Sequence, residues 1–323
     1  MTVLKFRSAL LNKDKKTCYD IISSQLNGKN LITVIHELLH ASALVEYNKS
    51  NIIHPICVIN SLKNFIGDNK NYPSQLILNF AVDYLEKFKF RDIEKSKFQQ
   101  INNNRVKTIF MGDFEDACQN GNWEKAEVLL EDIFIVSDYS RAAFDILAEL
   151  ALQDSPRNAI FIYHLLRAFQ FQQIKDDNWT FIKCIFNIIK VNTLENAHRA
   201  VNVNLKLMES KVIQMGDIIY FSALERIWNG EYTRLRGYRR EISHWVREMK
   251  YNDISIKVAK EHFLEGINKK SFIGFAEKIV QNKKTKEQKA RSLVTLEAIR
   301  SMSKNLDNKQ FAIIGSRYHN IIV

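Results

Sequence analysis

Three prolines and ten glycines in 323 residues leave few places where the backbone could be forced to turn. A β-sandwich or doubly wound α/β chain of this length needs many more turn residues, so helices joined by short loops are the economical solution. Apolar residues recur at helical spacing almost throughout. The pattern predicts helices over residues 16–26, 31–48, 55–65 and 73–88, then 141–153, 157–171, 179–191, 194–208 and 216–228, and finally 255–265, 272–278 and 289–303. Gly28 is placed as the stop of the first helix, Pro55 in the opening turn of the third and Gly67 at its end. The C-terminal "FAIIGSRYHNIIV" reads as a short strand or a docked tail.

The predicted fold is all-α, with antiparallel helical hairpins stacked as a compact array or a short α-solenoid. The hairpin signal is clearest in "FEDACQNGNWEKAEVLLEDIF", where Gly121 and Asn122 turn between two helices and Ala117 and Ala126 permit close approach. It resembles one tetratricopeptide-type unit, without a fixed period along the chain. Four regions follow: residues 1–90, a polar connection over 91–109, a hairpin region over 110–230 and a basic C-terminal region over 231–323.

A hydrophobic content of 46% with 26% charged residues is that of a folded globular chain. No apolar run reaches membrane-spanning length, and the N-terminus turns polar too early for a secretory signal. Cys18, Cys57, Cys118 and Cys184 are far apart with no C-x-x-C pair, so they read as reduced core thiols in a cytoplasmic compartment. P-loop, dinucleotide-binding and nucleophile-elbow motifs are all missing, which removes support for those chemistries.

Residues 36–40 spell His-Glu-Leu-Leu-His, the H-E-x-x-H of zinc peptidases. Two imidazoles four residues apart on a helix point the same way and can share an ion, and the adjacent Glu37 can act on metal-bound water. The peptidase context is missing, however. The roughly thirty residues before the motif read as loop and helix, not as a substrate-binding sheet. Ala43 and Glu46 stand where a metzincin has Gly and a third His, and the next helix offers only Asn60, Ser61 and Lys63 in place of a gluzincin Glu. Along an antiparallel hairpin, His54 would lie roughly 15 Å from His40. A zinc peptidase is disfavoured. Without metal, the same residues form a polar helix face opposite the stripe Leu31, Ile35, Leu38, Ser42 and Val45, and such a face is normally solvated.

Helical bundles also build metal sites from facing helices, and iron oxygenases use several His ligands with open positions. "HELLHASALVEY…HPICVINSL", followed by "RAAFDILAELALQDSPRNAIFIYHLLRAF", resembles the questin-oxidase-like family over residues 31–169. That family is all-helical and His-rich, with non-haem iron oxygenases among its members. The resemblance implies an oxidative, metal-dependent enzyme acting on a small-molecule substrate, with iron or zinc as cofactor. His36 and His40 are then ligands, His54, His164 and His198 are nominated as further ligands, and Glu37 is the catalytic, ligand or outer-sphere carboxylate.

The alternative is a non-catalytic helical-repeat protein. From Glu231 onward Lys+Arg outnumber Asp+Glu by 20 to 10, so nearly all of the net charge of +11 lies there. Arg234, Arg236, Arg239, Arg240 and Arg247 alternate with Tyr232, Tyr238 and Trp245, a pattern suited to an acidic protein or nucleic acid. The competing explanation is an amphipathic helix with Tyr238, Ile242, Trp245 and Val246 inward. The lysines at 283, 284, 286 and 289 read as solvated surface.

Overall fold

A computed structural model describes residues 5–24, 26–47, 53–93, 108–191, 193–251, 258–259 and 261–322. Among them are sixteen α-helices and no strand. The N-terminal group is α1 (Phe6–Leu11), α2 (Lys15–Ser23), α3 (Gly28–Ala43), α4 (Pro55–Gly67) and α5 (Gln75–Leu85). The middle runs α6 (Met111–Gln119), α7 (Trp123–Val136), α8 (Ala142–Leu152), α9 (Ser155–Phe171) and, after a 3-10 turn at Lys175–Asp177, α10 (Asn178–Ile189). The remainder is α11 (Leu205–Met215), α12 (Ile218–Trp228), α13 (Leu235–Arg247), α14 (Lys269–Gln281), α15 (Lys286–Met302) and α16 (Asn308–Arg317). None of the described helices is long and apolar enough to cross a membrane.

Helix starts follow local chemistry. Asp14, Ser74, Asn122, Asp154, Asn204 and Asp217 each accept a backbone N–H in the first turn of the helix they cap. Thr285 with Gln288, and Asp307 with Gln310, form full capping boxes. Gly28, at φ +48, opens α3 rather than closing the helix before it.

The array is compact, not a one-dimensional solenoid. In a solenoid each repeat touches only its neighbours. Here α4 packs on α9 and on the distant α15, α12 packs on both α9 and α15, and α1 packs on α3. Four helices from all parts of the chain therefore surround one centre. Arg226 and Glu297 form an ion pair there, with Arg226 Nη1 2.7 Å from Glu297 Oε1. Arg226 Nη1 also donates to the Tyr163 hydroxyl at 2.8 Å, and Asn64 Nδ2 donates to Glu297 at 2.8 Å.

Two expected helices are missing in part. Residues 193–204 run without helix, and α13 takes up two of their backbone N–H groups: the His198 N–H donates to Glu241, and the Val201 N–H to Ser243 Oγ at 2.9 Å. Of the strand or docked tail expected at the C-terminus, the structure has the docked form: α16, packed on α11 with Ile313 and Ile314 buried, followed by a 3-10 turn at His319–Ile321. Of the helix expected over 255–265, residues 255–257 and 260 lie outside the described residues and the others form turn and loop rather than helix, the next helix starting only at Lys269. Residues 94–107 of the polar connection also lie outside the described residues. All four cysteines are buried and free.

Candidate functional site

Helix α3 packs on α1, α4, α5 and α10, so residues 34–45 are buried without interruption. The expectation of a solvated histidine face is corrected here. His36 is 1% exposed and His40 0%. A buried polar face needs partners, and two distant segments supply them.

The first is α1. Phe6, Ala9 and Leu10 anchor this short helix in the core, which turns Arg7 onto α3. The Arg7 guanidinium donates Nε and Nη2 to Glu37, the latter at 3.1 Å. It donates Nη1 and Nη2 to the two oxygens of Asp177 at 3.0 and 2.6 Å. The second segment is the 3-10 turn that leads into α10, where Asp177 is fully buried.

On its other side the Asp177 carboxylate meets both histidines. His36 Nε2 lies 3.6 Å from Oδ2, and His40 Nε2 lies 3.5 Å from Oδ1. His40 Nε2 is also 3.0 Å from the Thr180 hydroxyl, one turn further along α10. His36 Nε2 and His40 Nδ1 are buried without a hydrogen-bond partner. His36 Nδ1 is 3.5 Å from Glu37 Oε1.

The electrostatics follow. Burial, with Arg7 adding to it, pushes His40 down to about 3, so its imidazole is neutral at ordinary pH. Burial works to raise the Glu37 carboxyl, but His36 and Arg7 outweigh it and hold it below the usual glutamate range. Among the described residues, no group of three His, Cys, Asp or Glu side chains is spaced so that it could hold a metal ion as it stands.

The other nominated histidines lie in three separate places. His54 caps α4, its Nδ1 accepting the Ile56 N–H at 3.2 Å. His164 sits at the bundle centre, 2.8 Å from Asn60 Nδ2. His198 Nδ1 is 2.7 Å from Glu241, and its ring stacks on His244 at 3.8 Å. None of them faces the histidines of α3. Arg7, Asp177 and Thr180, which do belong to the site, carry no motif and join it only through tertiary packing.

The basic region is partly spent on internal pairs. Arg234 and Arg240 both bind Glu149, Arg234 also reaches Glu115 at 3.0 Å, and Arg240 reaches Glu241 at 2.7 Å. Arg239 packs on Trp228, and Arg247 pairs with Glu248 at 3.0 Å. Tyr238, Ile242 and Val246 are buried, while Trp245 is half-buried and donates Nε1 to the Gln153 carbonyl at 2.9 Å. Arg236 is exposed on a cleft of about 420 Å³, beside Arg234 and Arg240.

This charge lattice depends on Gly237, where an added Cβ would fall 2.2 Å from the Glu149 carboxyl carbon. Gly237→Ala is expected to cost about 1–3 kcal/mol by driving Glu149 off its arginines. Gly274→Ala, in the middle of α14 with nothing within 4 Å, should instead gain about 0.5–1 kcal/mol from reduced backbone entropy. Thermal denaturation of the two variants separates the cases.

Against known proteins, no family model, no curated protein and no solved structure matches the chain.

Proposed function

We propose that the chain is a metal-dependent enzyme of the non-haem type, with its ion held by His36, His40 and Asp177 and with a small molecule as substrate. One observation carries this reading. Two imidazoles one turn apart on a buried helix direct ring nitrogens at the two oxygens of a single buried carboxylate, and one of those nitrogens, His36 Nε2, has no hydrogen-bond partner.

The donor chemistry fits. A neutral imidazole is the ligand form, and two histidines with one carboxylate suit an iron(II) site with open positions. Donors around one ion stand about 3.0–3.4 Å apart, so each ring would close on Asp177 by a few tenths of an ångström. The Thr180 hydroxyl would leave His40 Nε2. Arg7 acts from outside this set. Its bidentate grip orients Asp177, and the same guanidinium ties Glu37 into the outer sphere as an acceptor. Glu37 is therefore a positioning residue rather than a free general base. When bound, the ion would supply a Lewis acid for water and, as iron(II), the electrons that dioxygen activation requires.

Elemental analysis of the folded wild type, after exposure to ferrous iron and to zinc, tests the reading. About one equivalent is expected, lost in both Asp177→Asn and His36→Ala variants that retain a cooperative melt. A wild type that takes up neither metal overturns it, as does a metal content unchanged in both variants.

A further inference from the structure

A second polar site lies further along α10 and is independent of the metal reading. Beyond the end of α3 the chain makes an isolated antiparallel bridge between Val45 and Phe90. The Glu46 N–H donates to the Lys89 carbonyl, and the Arg91 N–H to the Leu44 carbonyl, both at 2.8 Å. This fixes Arg91 over the C-terminus of α3, where its Nη2 donates to the Ala43 carbonyl at 2.8 Å. Its Nε is buried and has no partner.

Arg91 forms one wall of a pocket of about 270 Å³ whose lining includes Tyr47, His54, Cys184, Asn187 and Lys190. At about 30 Å³ per water-sized atom, that volume holds a molecule of roughly nine heavy atoms. Its floor is built from two nearly inaccessible polar side chains, His54 at 4% and Cys184 at 3% exposure. Because His54 Nδ1 accepts the Ile56 N–H, its proton lies on Nε2, which points at the Cys184 sulfur 3.8 Å away. Asn187 Oδ1, on the same wall as Cys184 one turn along, is a buried acceptor with no partner.

The pocket thus presents an unused guanidinium N–H, a second cation in Lys190 and an unused amide oxygen around a thiol. Glu46, the one carboxylate among its described lining residues, is engaged by Lys89 at 3.0 Å. An unsatisfied buried donor and an unsatisfied buried acceptor on two residues lining one cavity can both be relieved by a single ligand. We propose that this pocket binds a small carboxylate-bearing molecule, its carboxylate on Arg91 and a hydroxyl or amine N–H donated to Asn187, seated against Cys184. Arg91 is fitted to the task because its neutral-pH charge is permanent and its planar fork matches a carboxylate.

Iodoacetate is the probe, being a small carboxylate that marks the thiol it reaches. The sulfur–carbon bond forms as the carbon–iodine bond breaks, iodide leaves and the thiol proton passes to solvent. Burial pushes the Cys184 thiol up to about 12, with the Arg91 charge pulling the other way, so labelling is run at about pH 9. Peptide mapping follows Cys184 with iodoacetate and with neutral iodoacetamide, each rate normalised to the unfolded chain.

The expected result is a preference for iodoacetate of about tenfold or more at Cys184, saturating with concentration and absent at Cys57. Arg91→Gln should remove the preference. In the wild type, succinate should slow labelling in a saturable way, which tests the pocket without any substitution. Equal normalised rates for the two reagents overturn the proposal. So does a Cys184 that neither reagent reaches, or labelling that succinate does not protect.

Discussion

Arg7→Met is expected to destabilise the protein by about 3–5 kcal/mol, the cost of leaving buried charges without their partner. Methionine keeps most of the stem volume, so the loss is electrostatic more than steric. Arg7 donates to both Glu37 and Asp177, and without it two carboxylates would face each other beside α3 with no cation. Urea denaturation at neutral pH checks the value, with Arg247→Met as the comparison. Arg247 and Glu248 are both more than half exposed, so that change should stay within about 0.5 kcal/mol. A small loss at Arg7 would mean that Glu37 and Asp177 do not depend on its guanidinium for their charge compensation.

Acid should unfold the protein early. Burial pushes His40, His54 and His164 each down to about 3, against 6.5 in an unfolded chain. Between those limits the unfolded state carries up to three more protons than the folded state, so stability falls as pH falls from 6.5 toward 3. At about 1.4 kcal/mol per proton and pH unit, the steepest slope approaches about 4 kcal/mol per pH unit.

Glu297 extends the loss. Burial alone would raise its carboxyl, but Arg226, with help from His164 and Asn64, brings it to about 2. Its contribution is complete above its ordinary value of 4.5 and is lost as pH falls toward 2. Denaturant midpoints measured from pH 7 to 4 should therefore drop steeply, and His164→Gln should flatten the slope by about one proton's worth. A stability curve level down to pH 4.5 would contradict the burial of these imidazoles as neutral groups.

The sequence made the class of fold legible because scarce proline and glycine leave helices as the only economical solution. It also located α3 and α9 to within about five residues at their ends, since their apolar spacing is strong. The failures share a cause. Residues 193–204 have a helical pattern, but Glu241 and Ser243 on α13 take up two of their backbone N–H groups. Arg7 joins Glu37 from 30 positions away, and Asp177 reaches the two histidines from still further along the chain; no local pattern encodes such a meeting. The His36–His40 face looked solvated because a helix periodicity shows which residues share a face, not what covers it. The basic C-terminal third shows the same limit. Counting charges does not reveal that Arg234 and Arg240 converge on Glu149.

Anomalous diffraction from crystals grown with ferrous iron, recorded above and below the iron edge, decides most directly whether His36, His40 and Asp177 hold a metal ion. One peak within bonding distance of His36 Nε2, His40 Nε2 and an Asp177 oxygen is expected, with Arg7 still on Glu37 and Asp177. No peak at saturating iron, with Thr180 still on His40 and the imidazoles still apart, would contradict it. The H-E-x-x-H helix would then be a buried structural tie between α1 and α10.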